Sequence, residues 1–230
     1  MPPSPHGRSS RRVTLPPLYA IVDAELAARH GWTVPALARA CLAGGARLLQ
    51  IRAKHVGSGA LLAICEEVLA EAGPAGATII VNDRADVAMA AGAAGVHLGQ
   101  QDLPVRDVRR LFPALGIVGL STHTEEQIGQ ALGEPASYIA VGPVYGTATK
   151  ATGYDAVGLG LVRKAVAAVS DREPAARPVV AIGGITLDRA PDVLAAGAAS
   201  VAVISDLLAT GDPEGRVREY VRRLNQRADG

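Results

Sequence analysis

One pattern governs what this chain can fold into: a short apolar run, a polar or glycine-rich break, then an amphipathic segment, repeated to the end. The runs are "LYAIV" (18–22), "RLLQIRA" (47–53), "TIIVN" (78–82), "GVHLG" (95–99), "IVGLS" (117–121), "SYIAVG" (137–142), "PVVAIG" (178–183) and "SVAVIS" (200–205). Between them lie segments of helical period, such as "PALARACLAGG", "ALLAICEEVLAEAG", "EEQIGQALG" and "LVRKAVAAVS", and "EGRVREYVRRLNQR" closes the series. Strands that alternate with helices pair in parallel and are buried on both faces. Eight such units predict an α/β protein, a single (β/α)8 TIM barrel with one helix after each strand. Gly44, Gly73, Gly92 and Gly197 are expected at helix ends. An open doubly wound sheet is the alternative, but no GxGxxG follows the first run and no GK[ST] occurs anywhere.

The chain has 230 residues, 49% hydrophobic and 20% charged, enough to bury one substantial core, so a single domain is expected. Residues 1–17, rich in Pro, Ser and Arg, read as a disordered tail without the apolar centre of a signal peptide. Its Arg8, Arg11 and Arg12 fit a solvated tail. Residues 18–230 then form the barrel. A formal net charge of +1 without a basic stripe argues against nucleic acid. No apolar stretch approaches the roughly 18 residues needed to cross a bilayer. Cys41 and Cys65 sit in helical patterns without metal-ligand spacing, as free buried thiols do in a reducing cytosol, and a cytoplasmic location follows. Homo-oligomerisation stays open.

In a barrel all eight strand C-termini open onto one face, where active sites lie. Polar residues gather there: Asp23 after the first run; Gln50, Arg52 and Lys54 at spacing two; Asn82-Asp83; Asp102 in "GQQD"; Ser121, with His123 beyond; Gly183-Gly184; and Ile204-Ser205. The sixth run opens into "VGPVYGTATKATGYD", which holds Thr147, Thr149 and Lys150. Each group alone has a plain reading. Arg52 and Lys54 would pair with Glu66 or Glu67, Asn82, Asp83 and Asp102 would cap helices, and His97 would be a packed core residue. Their coincidence on one rim favours a site for anionic ligands. Asp83 and Asp102 suit one Mg²⁺, which takes few protein carboxylates and completes its shell with phosphate oxygens. Arg52, Lys54 and Lys150 suit a multiply charged anion. The glycine turns after the seventh and eighth runs offer backbone N–H groups to a second phosphate, joined by the hydroxyls of Thr147 and Thr149.

The segments "QIRAK", "VNDRADVA", "GVHLGQQDL", "GLSTHT", "YIAVGPVYGTATK", "AIGGI" and "VAVISD", in this order from Leu18 to Leu208, resemble the thiamine-phosphate synthase (pyrophosphorylase) family. Two departures stand out: Gly146 where proline is common, and Ala53 where a charged residue is common between Arg52 and Lys54. The resemblance implies a Mg²⁺-dependent transferase that joins hydroxymethylpyrimidine diphosphate to thiazole phosphate. Gln50, Arg52, Lys54, Asn82 and Lys150 would bind the pyrimidine diphosphate, with Arg52, Lys54, Ser121 and Lys150 serving catalysis. Asp83 and Asp102 would hold the metal, and Ser121 would meet the pyrimidine ring. Thr147, Thr149, Gly184, Ile204 and Ser205 would bind the thiazole phosphate. The rival readings are a TenI-like thiazole tautomerase, a Schiff-base aldolase using Lys54 or Lys150, and a non-catalytic sensor of phosphate ligands.

Overall fold

The computed structural model describes residues 13–146, 154–171 and 177–226. The strands are β1 (Leu18–Asp23), β2 (Leu48–Arg52), β3 (Thr78–Asn82), β4 (Gly95–Leu98), β5 (Ile117–Thr122), β6 (Tyr138–Val141), β7 (Val179–Ile182) and β8 (Ser200–Val203). They close into one barrel in chain order, every neighbour parallel, with β8 paired back onto β1. The helices are α1 (Ala24–Arg29), α2 (Val34–Ala43), α3 (Ser58–Ala75), α4 (Ala85–Ala91), α5 (Val105–Leu111), α6 (Glu125–Leu132), α7 (Gly158–Ser170), α8 (Ala190–Ala195) and α9 (Pro213–Asn225). A 3-10 helix, Ser205–Leu208, precedes α9.

The expected barrel is observed, and the expectation of one helix per strand is corrected. Two helices follow β1, because Gly31 at φ +75° turns the chain out of α1, and Thr33 then caps a new helix that has Pro35 in its first turn. Gly73 does not end its helix either. α3 runs on through Pro74 to Ala75 and stops at Gly76, the residue that takes the left-handed conformation.

Side chains alternate across the strands, so each strand serves two cores. Ala20, Val22, Leu49, Ile51, Ile79, Val81, Val96 and Val118 face the helices in the larger apolar cluster. Tyr19, Ile21, Leu48, Ile80, Tyr138, Ala140, Val180 and Ala202 fill the barrel interior. Leu15 is buried in that inner cluster, with Val13 packed against it. Residues 13–17, assigned to the tail from sequence, thus help fill the barrel, and the Pro17 carbonyl accepts the N–H of Val201 at 2.8 Å. Residues 1–12, with Arg8, Arg11 and Arg12, lie outside the described residues.

A candidate active site at the C-terminal mouth

On β1 to β5 the inward row of side chains turns polar as it reaches the C-terminal end. On β1 the row ends in Asp23, on β2 in Gln50 and Arg52, on β3 in Asn82, on β4 in His97 and on β5 in Ser121. Asp23, Gln50, Asn82, His97 and Ser121 are all buried. Asp23 caps α1 through the N–H of Leu26, at 2.9 Å to Oδ1, and its Oδ2 accepts from Nη1 of Arg52. This corrects the expected pairing of Arg52 with Glu66 or Glu67. The reason is geometric: Arg52 points into the barrel mouth, whereas Glu67 lies on the outer face of α3 beside Arg39. Nε of Arg52 is buried without a hydrogen-bond partner among the described residues. A buried, orphaned donor on a cation costs free energy, and an anionic ligand in the mouth would satisfy it.

Lys54 lies beyond the strand end and pairs with Asp83, Nζ to Oδ2 at 3.1 Å. Asp83 does not cap a helix as its sequence neighbourhood allowed; α4 is preceded by Arg84 and has no side-chain cap. Asp83 instead has φ +63°, the only non-glycine at positive φ among the described residues, and its N–H bonds the His97 carbonyl at 2.8 Å. Such left-handed strain in a non-glycine residue gathers at functional sites. Asp102 is not a cap either. α5 starts after Pro104, and Oδ2 of Asp102 accepts the N–H of Gly99 at 2.6 Å. Burial pushes the Asp102 carboxyl up; the Gly99 N–H draws it partly back, and the neighbouring Asp83 charge raises it again. Two carboxylates crowded beside one lysine could supply oxygen donors to a hard cation that shares its shell with an anion. Among the described residues no group of three or more His, Cys, Asp or Glu side chains is arranged to hold a metal ion.

The turn after β7 has Gly183 at φ +101° and Gly184 at φ +62°. A Cβ on Gly184 would stand 2.6 Å from the Gly146 carbonyl oxygen and 2.8 Å from Cβ of Tyr145, so the loop after β6 lies directly on this turn. Arg189 bridges the two, with Nη1 donating to the Gly184 carbonyl at 3.0 Å and its guanidinium 4.6 Å from the Tyr145 ring centroid. Ile204 and Ser205 stand at the mouth after β8, where Ser205 opens the 3-10 helix. Behind them Oδ2 of Asp206 accepts from the Leu187 N–H (3.1 Å), Nε and Nη2 of Arg216 (3.1 and 2.8 Å) and the Tyr220 hydroxyl (2.6 Å). One carboxylate therefore ties the turns after β7 and β8 to α9.

His123, left without a role from sequence, donates from Nδ1 to the Gly142 carbonyl at 2.5 Å and stacks on Tyr154 with ring centroids 4.1 Å apart. Thr147, Thr149 and Lys150 lie outside the described residues. Sequence reasoning did not single out Tyr19, Tyr138 or Asp206, and it named Asp23 without its partner. The detectable signal for the tyrosines was a phenol at an inward strand position, where an aliphatic residue would otherwise fill the barrel.

A closed parallel eight-stranded barrel with polar and charged side chains gathered at its C-terminal mouth places the chain in the class of (β/α)8 enzymes, which keep their active sites at that end. The Thiamine monophosphate synthase family model matches residues 18–207. A thiamine-phosphate synthase of Methanospirillum hungatei is 44% identical over 203 residues, 88% of this chain and 95% of that protein. Another, from Anaeromyxobacter dehalogenans, is 44% identical over 206 residues, covering 90% and 86%. Among solved structures, a thiamine phosphate pyrophosphorylase from Pyrococcus furiosus superposes with a TM-score of 0.79 at 30% identity, covering 94% of this chain and 98% of that one. The chain belongs to the thiamine monophosphate synthase family and is an enzyme, a transferase of thiamine biosynthesis. No helix among the described residues is long and apolar enough to cross a membrane.

Proposed function

We propose that this enzyme condenses 4-amino-2-methyl-5-hydroxymethylpyrimidine diphosphate with 4-methyl-5-(2-hydroxyethyl)thiazole phosphate, giving thiamine phosphate and pyrophosphate. The observation that carries the reading is the diphosphate half of the mouth: Arg52 with its orphaned Nε, beside Lys54 clasped to Asp83. A tautomerase acting on thiazole phosphate alone has no use for that half. The ion pair with Asp83 argues against a Schiff base at Lys54, and a sensor needs no groups to stabilise departing charge.

In this reading Gln50 and Ser121 hold the pyrimidine ring, with Asn82 beside the diphosphate. Arg52, Lys54 and Lys150 surround the diphosphate and stabilise the charge that grows as its C–O bond breaks. The electrons of that bond leave with pyrophosphate, and the carbocation left on the pyrimidine methylene is stabilised by the aminopyrimidine ring. The thiazole nitrogen lone pair then closes the new C–N bond. Thr147, Thr149, Gly184, Ile204 and Ser205 hold the thiazole phosphate so that its nitrogen meets the methylene. Asp83 and Asp102 would hold Mg²⁺, which when bound supplies positive charge to the leaving group. This chemistry needs no nucleophile–base pair, because the leaving group departs before the new bond forms.

The deciding experiment is turnover by the purified protein with both substrates and Mg²⁺, read as thiamine phosphate and pyrophosphate formed one to one. Isomerisation of a thiazole phosphate without use of the pyrimidine diphosphate would reverse the assignment in favour of a tautomerase. Binding of both ligands without turnover would favour a sensor.

A further inference from the structure

Five buried polar side chains form an unbroken hydrogen-bonded path across the barrel interior. Nε2 of Gln50 donates to the Tyr19 hydroxyl at 2.9 Å, and the hydroxyls of Tyr19 and Tyr138 are 3.0 Å apart. The Tyr138 hydroxyl is 2.9 Å from Nδ1 of His97, and Nε2 of His97 is 2.8 Å from Oγ of Ser121. All five residues are at least nine-tenths buried. The fold makes room for this path: a Cβ on the inward-facing Gly119 of β5 would collide with the Tyr138 phenol. The two rings of Tyr19 and Tyr138 meet edge to face, and His97 stacks on Tyr138 at 5.6 Å between centroids. Burial raises both phenols far above the ordinary tyrosine value, so each keeps its single proton.

The proton count then sets a direction. Gln50 donates to Tyr19, so the Tyr19 O–H has Tyr138 as its remaining acceptor. Tyr138 in turn donates to Nδ1 of His97. The imidazole proton must then sit on Nε2, where it is donated to Ser121. Both ends of the path sit at the mouth with one capacity left over. Oε1 of Gln50 accepts no hydrogen bond among the described residues, and the Ser121 hydroxyl proton is free to be donated.

We propose that Tyr19, Tyr138 and His97 are positioning residues that form a one-way hydrogen-bond circuit, fixing Gln50 as an acceptor and Ser121 as a donor toward the ligand. The circuit thereby selects an aminopyrimidine over an oxopyrimidine. An aminopyrimidine offers a donating amino group and accepting ring nitrogens, which complement those ends. The 4-oxo analogue exchanges donor and acceptor on that edge. Binding it would require the Gln50 amide to turn over and every proton in the circuit to shift, so the discrimination belongs to the whole path and not to the two residues that touch the ligand. The choice of ligand rests on the reading under Proposed function; the direction of the circuit does not.

Two measurements test this. The first is nitrogen NMR of the wild-type protein labelled at histidine, free and with the aminopyrimidine diphosphate, with His97 assigned by comparison with a His97→Asn sample. In both states Nδ1 should resonate as an unprotonated nitrogen and Nε2 as a protonated one. A proton on Nδ1 in the ligand complex overturns the circuit. The second uses Tyr138→Phe, which keeps the ring and removes the central hydroxyl. The ratio of kcat/KM for the amino over the 4-oxo pyrimidine diphosphate should fall about tenfold, the factor carried by a neutral hydrogen bond at the upper end of its range. An unchanged ratio in a folded variant also overturns the proposal, because a merely structural tyrosine would lower both substrates together. Wild-type protein that turns over neither pyrimidine yet carries the proton on Nε2 would refute the substrate reading and uphold the circuit.

Discussion

Replacing Asp206 with alanine should be among the most damaging changes outside the mouth, and its cost can be worked from the geometry. The Asp206 carboxylate is 11% exposed and Arg216 is 16% exposed, so the pair is nearly out of water. Removing one partner of a buried pair costs about 3–5 kcal/mol, because the other charge stays behind unpaired. Arg216 keeps a second partner in Glu219 at 3.0 Å, and Glu219 is 45% exposed, so the lower end applies, about 3 kcal/mol. For a chain of this size that corresponds to a fall in Tm of roughly 6–12 °C. The loss also has a direction in function. The Leu187 N–H and the Tyr220 hydroxyl lose their common acceptor, and both reach the turn after β7. The apparent affinity for the thiazole phosphate should weaken more than that for the pyrimidine diphosphate. Thermal unfolding of Asp206→Ala, Arg216→Met and the double variant checks the reasoning. The double variant should be more stable than the sum of the single losses by about 1 kcal/mol or more, since it leaves no buried charge alone. A Tm change below about 2 °C in Asp206→Ala, or strict additivity, would refute the assignment of Asp206 as the tie between these turns.

Other outcomes follow from other parts of the molecule. Asp83→Ala and Asp102→Ala should each lower Mg²⁺-dependent turnover on the order of 10²-fold or more with unfolding curves close to wild type; activity near wild type at limiting Mg²⁺ would show that the ion is held elsewhere. Removing residues 1–12 should leave stability and turnover nearly unchanged, whereas Leu15→Ala should cost about 2–3 kcal/mol, because it empties space inside the barrel; equal denaturation midpoints for the two proteins would contradict the packing. Burial pushes the Cys41 thiol up to about 12 and the Cys65 thiol up to about 11, the latter helped by Glu66. A raised thiol pKa means less thiolate, about one part in a thousand or less at pH 8, so the native protein should resist a disulfide reagent that titrates two thiols after unfolding. Rapid labelling of either cysteine in the native state would count against that burial.

The barrel was legible because its signal is repeated: eight apolar runs, each bounded by turn residues, leave little freedom in topology. The extra helix after β1 was not, since "HGWTVP" reads as an ordinary loop until Gly31 and Thr33 are seen to end one helix and begin the next. Within the mouth, sequence placed Gln50, Arg52, Asn82, Asp83 and Ser121 at strand ends because strand periodicity carries that information. It could not supply the Asp23–Arg52 pair, which depends on the register between β1 and β2. The Tyr19–Tyr138 contact joins residues 119 apart in sequence, and no local pattern encodes it. Asp83 shows the limit from the other side. Its neighbours suggested a helix cap, and only the backbone reveals that it adopts the left-handed conformation instead.

The packed base of the barrel has a consequence for traffic. With Leu15, Leu48, Ile80, Ala140, Val180 and Ala202 packed into the barrel interior around the polar path, nothing can cross from one end of the barrel to the other. Every molecule that reaches Gln50 or Ser121 must arrive and leave through the same mouth. When two ligands share a dead-end passage, the one that lies deeper has to be loaded first and is released last.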